Sequence, residues 1–94
     1  MKEFLQAKIR ECVVDIAGIY EELSGDHDWE DKEYDALFEL ASKTIWEKGD
    51  TRDIAAASNS GGRIAAYAHI AQVYVIHLDD EVKDLFKWAD VICP

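Results

Sequence analysis

Eight carboxylates, Glu21, Glu22, Asp26, Asp28, Glu30, Asp31, Glu33 and Asp35, crowd the segment 21–35 with a single lysine, Lys32, among them. Crowded like charges repel one another, so a cation, a basic partner or solvent must offset them. A calcium loop is the first chemistry to test. Counted from Asp26 the spacing begins well with Asp28 and Glu30, but the sixth position is Asp31, where the turn needs glycine. The twelfth is Leu37, where a bidentate glutamate is needed. The frame fails, and neither a metal nor a cofactor is expected. What remains is a solvated helix start or a surface for a basic partner. Trp29 lies among the carboxylates, and an aromatic side chain rimmed by charge is the composition of an interface anchor. The candidate partner-binding set is Glu22, Asp26, Asp28, Trp29, Glu30, Asp31 and Asp35.

A second cluster, Ser60, Gly61, Gly62 and Arg63, offers a different chemistry: free amides before a helix, its positive end and a guanidinium could hold a phosphate-like anion. The glycine pair lacks the GxxxxGK[ST] and GxGxxG frames that make phosphate binding specific, so an ordinary turn competes with this reading. His69 and His77 stand eight residues apart, about 12 Å along a helix, too far to share a metal without a third ligand. They are expected to be hydrogen bonded and structural. Cys12 falls on an apolar helical face, Cys93 is near the C-terminus, and Ser42, Ser58 and Ser60 sit in no nucleophile elbow. No catalytic frame is recognisable, and the chain is read as a non-enzyme.

The elements that would position these residues follow from apolar spacing. Leu5, Ile9, Cys12, Ile16, Ile19 and Leu23 recur at alternating steps of four and three, predicting an amphipathic helix over 2–23 with Glu3, Gln6, Arg10 and Glu21 on its solvent side. Gly25 stops it, and Asp28 is placed to cap a second helix that runs to about Lys48 on an inner face of Tyr34, Leu37, Phe38, Ala41 and Ile45. Trp46 falls off that stripe. Asp50 or Thr51 caps a short third helix to Ala57, and the residues 58–62 read as a turn.

The segment 64–78 has no formally charged side chain in a chain that is 32% charged, so it is expected to be the buried centre. It is shorter than the ~20 residues of a membrane helix. From Ile64 the four-three phase continues to Ile92, admitting one long helix or a break at Asp79; a strand over 72–78 is the rival reading and lacks a partner strand. Phe86, Trp88 and Ile92 exceed what one stripe requires; closing the core is the default expectation, and the alternative is that Trp88 joins Trp46 in an exposed patch or is buried in a second copy of the chain.

With 94 residues the chain is expected to form one domain, 1–94. A net charge of −10 repels nucleic-acid phosphate and anionic membrane and favours basic surfaces. Two separated cysteines make no disulfide scaffold, and the N-terminus lacks the apolar run of a secretory signal, so a cytoplasmic location is expected. The expectation is an all-α bundle of four to five helices around a buried helix at about 62–78. Its expected function is that of a small acidic module that inhibits, neutralises or adapts a basic protein, in the charge logic of immunity proteins and antitoxins. The alternatives are a ligand or enzyme domain using Ser60, Gly61, Gly62 and Arg63 on an anion, and a structural homo-oligomer.

Overall fold

The next two long helices are laid against the first, α1, Lys2–Ser24. The computed structural model describes residues 1–83, and every regular element among them is helical: α1, a single 3-10 turn at Trp29–Asp31, α2 (Tyr34–Lys48), α3 (Thr51–Val73) and α4 (Asp80–Lys83). The all-α expectation holds. Residues 84–94, on which the readings for Phe86, Trp88, Ile92 and Cys93 rest, lie outside the described residues.

The apolar stripe of α1 is buried as its spacing requires, with Leu5, Ile9, Cys12, Val13, Ile16, Ala17 and Tyr20 enclosed between α2 and α3. Helix α2 contributes Leu37, Phe38, Ala41 and Ile45; α3 contributes Ala57, Ile64 and Ala71. Gly25 closes α1 in the left-handed conformation, at φ 76°, with its amide on the Glu21 carbonyl. Gly49 makes the tight corner from α2 to α3 by close approach: a Cβ there would stand 2.5 Å from the Ile45 carbonyl oxygen. Asp50 then caps α3 in a reciprocal box. Its carboxylate accepts from the Asp53 amide at 2.9 Å, and the Asp53 carboxylate accepts from the Asp50 amide at 3.2 Å.

Four local expectations are corrected. Helix α2 starts at Tyr34, not at an Asp28 cap, because residues 25–33 fold into the 3-10 turn and its side-chain bonds. The expected turn at 58–62 does not exist: α3 is one continuous helix through Ser58, Asn59, Ser60, Gly61 and Gly62. Each helical glycine costs about 1 kcal/mol against alanine, but Ser60 and Gly61 are buried and small on the face with Ala57 and Ile64, where helix–helix packing outweighs propensity. Helix α3 also ends before the expected break, at Val73, and Val75 takes a positive φ of 54° that a β-branched residue rarely adopts. Consequently 64–78 is not the buried centre. Val73, Tyr74 and Val75 are exposed, Val75 by 73%, and α1 occupies the middle instead.

The chain past Val75 returns to the core through Leu78 and Val82. Its anchor is Gln6, read as solvent-facing but only 6% exposed: its amide nitrogen donates to the Asp79 carboxylate at 3.2 Å and its oxygen accepts from the Asp79 amide at 2.8 Å. Lys2 adds an ion pair to the same carboxylate at 3.1 Å. None of the described helices is long and apolar enough to cross a membrane.

Candidate functional site

The acidic stretch surrounds the corner between α1 and α2, and two of its carboxylates hold that corner together. Asp26 accepts from the Tyr20 hydroxyl at 2.8 Å and from the Asp28 amide at 3.0 Å, and it pairs with Lys32 at 3.5 Å. These donors, the Tyr20 hydroxyl first, hold its carboxyl below the usual aspartate range. Burial and the same hydrogen bond push the Tyr20 phenol up, so it stays a proton donor. Glu21 is the second hub. Its two oxygens receive the His27 ring nitrogen at 2.5 Å and the Trp29 indole N–H at 3.3 Å. The pairing lowers the Glu21 carboxyl and raises His27, so the pair is ionic at mildly acidic pH.

The candidate residues therefore divide by role. Asp26 is structural, and Trp29 is half-buried against the core with its N–H already engaged. Glu22, Asp28, Glu30 and Asp31 are exposed, and none of the four has an ion pair among the described residues. Asp35 stands apart, half-buried in a cleft with Glu33, Tyr34 and Glu81. Glu21, which sequence reasoning placed on the solvent side of α1, proves to organise the corner. No spacing rule could have found it, because residues six and eight positions on are brought back to Glu21 only by the non-helical corner after Ser24.

The anion site loses its geometric premise. Ser60 is 4% exposed, Gly61 is buried, and the amides of residues 60–63 belong to the interior of α3 rather than to a free helix start. Arg63 is turned to α1, 3.9 Å from Asp15. Around it Ala55, Ser58, Asn59, Gly62 and Ala66 line a shallow, open depression.

His69 and His77 are exposed rather than enclosed. Cys12 is fully buried, and burial pushes its thiol up, away from nucleophilic use. Among the described residues no three or more histidine, cysteine or carboxylate side chains converge as a metal site. No family model, no curated protein and no solved structure matches the chain.

Proposed function

We propose that this protein is a non-enzymatic binding module that engages a basic protein through the α1–α2 corner, as an inhibitor, immunity-type or adaptor protein of the cytoplasm. The observation that carries the reading is the division of labour among its carboxylates. Asp26 and Glu21 are used up in fixing the corner, whereas Glu22, Asp28, Glu30 and Asp31 are displayed on it without an internal cation. A fixed array of charges loses little conformational freedom on binding, and complementary charge speeds encounter while making it salt-sensitive. The overall −10 charge acts in the same direction and against nucleic acid as a partner.

The test compares the full chain with the variant E22Q/D28N/E30Q/D31N as baits in lysate, at low and high salt. The four substitutions leave Asp26 and Glu21 in place and relieve part of the charge repulsion, so helicity should be native and melting at or above the native value. The native bait is expected to retain a basic protein at low salt, and the variant to lose it. Equal retention by both baits, or no retained protein at either salt, rejects the reading.

A further inference from the structure

The side of α1 turned away from the core is not a uniform acidic surface. Phe4, Ala7, Glu11, Val14 and Gly18 follow one another at steps of three and four along it, with Lys8 and Asp15 on one flank and Arg10 on the other. Phe4 is 57% and Val14 54% exposed, and Ala7, Arg10, Glu11, Val14 and Asp15 line a shallow depression between them. The Lys8 ammonium stands 5.7 Å from the centroid of the Phe4 ring, at the cationic end of this face. The fold does not need Gly18, since a Cβ at that position would meet nothing within 4 Å.

Charge on this face is polarised along the helix. Its first half carries Lys8 and Arg10 against Glu3, and its second half carries Glu11, Asp15 and Glu22 with no cation between residues 11 and 24. The internal pairs are loose: Lys8 lies 3.5 Å from Glu11, and Arg63 lies 3.9 Å from Asp15. Exposed pairs of that kind are worth little and exchange partners readily.

We infer that this face of α1 binds the same face of a second copy of the chain, antiparallel, about a two-fold axis passing near Glu11. That operation lays the cationic half of each helix on the anionic half of the other. Arg10 meets Glu11 of the second copy, Lys8 meets its Asp15, Ala7 meets its Val14, and the Phe4 ring covers the open surface at its Gly18. One face thus supplies both members of every pair, which is the requirement of an isologous contact. A parallel pairing or a uniformly basic partner would set like charges together on one half of the helix. The contact spans only about 21 Å of helix between Phe4 and Gly18, so the dimer is weak and reversible. It leaves the exposed carboxylates beyond Gly25 uncovered.

Sedimentation velocity on the full chain, across a dilution series to sub-millimolar concentration at low and high salt, tests this. The expected result is a monomer–dimer equilibrium, seen at the salt level where the repulsion between two chains of net charge −10 is screened. V14E and, separately, K8E/R10E should weaken the dimer roughly tenfold or more while circular dichroism shows native helicity, since these side chains are outside the core. The charge-swapped chain K8E/R10E/E11K/D15K, in which the polarity is reversed but still complementary, should dimerise again. A native chain that is monomeric throughout overturns the inference. So does a dimer indifferent to V14E and K8E/R10E, or a folded charge-swapped chain that stays monomeric.

Discussion

Tyr20 and Asp26 show how one enclosed hydroxyl sets the behaviour of a neighbouring carboxylate. The Tyr20 ring is 5% exposed and its hydroxyl donates to Asp26 at 2.8 Å, so Tyr20→Phe keeps the packing and removes only the donor. The expected loss is about 1 kcal/mol in urea denaturation, the ordinary net worth of such a bond. Beside it, Glu21 and His27 make the corner pH-sensitive in a defined sense. His27 is raised in the folded chain, so its contribution is complete below the ordinary imidazole value and fades as pH rises through the raised one. Glu21 is lowered, so its contribution is complete above the ordinary glutamate value and fades as pH falls through the lowered one. The pair is therefore fully formed between roughly pH 4.5 and 6.5. Because the Trp29 indole shares the Glu21 carboxylate, its N–H proton resonance should titrate with His27, at a pH above the ordinary imidazole value. A flat Trp29 signal, or one that still titrates in H27A, contradicts the shared hub.

At the scale of elements, α3 is the informative case. If residues 58–62 formed a turn, replacing Gly62 would be costly. In the interior of a helix, at a half-buried position, Gly62→Ala should instead raise stability by up to about 1 kcal/mol, whereas Gly61→Val, on the buried side, should lower it by roughly 1–3 kcal/mol through overpacking. Opposite signs at adjacent glycines, read from thermal melts, distinguish the two structures. The exit from α3 invites a second substitution. Val75 is 73% exposed at φ 54°, so Val75→Gly removes the Cβ strain without giving up buried area. It should stabilise the fold by roughly 1 kcal/mol, less the added freedom of the unfolded glycine. If the melt falls instead, the left-handed conformation at 75 is not the populated one.

For the molecule as a whole, charge is the dominant long-range term. A net −10 on 94 residues opposes compaction, and the internal ion pairs Lys2–Asp79, Lys32–Asp26 and Lys8–Glu11 offset only part of it. Screening should therefore stabilise the protein: the midpoint of thermal unfolding is expected to rise from low salt to several times the physiological level, where the Debye length falls to about 3–5 Å. A midpoint that drops with salt would mean that the attractive pairs outweigh the repulsion. The same screening weakens the proposed encounter with a basic partner, so folding and binding should respond to salt with opposite signs.

Much of this architecture was legible because its causes are local. The four-three spacing of Leu5, Ile9, Cys12 and Ile16 states both the existence of α1 and the face it buries; Gly25 and Asp50 mark their helix boundaries by chemistry available within a few residues. The excess of carboxylates is a property of composition alone. Tertiary structure decided the rest, for two physical reasons. A penalty of about 1 kcal/mol per glycine is small against the packing of α3 on α1, so a run that reads as a turn became a helix interior, and the free helix start expected at residues 60–63 went with it. The second reason is sequence distance. The bonds joining Gln6 to Asp79 couple residues 73 positions apart, and the sharing of Glu21 between His27 and Trp29 depends on a non-helical corner; neither leaves a periodic trace in the chain.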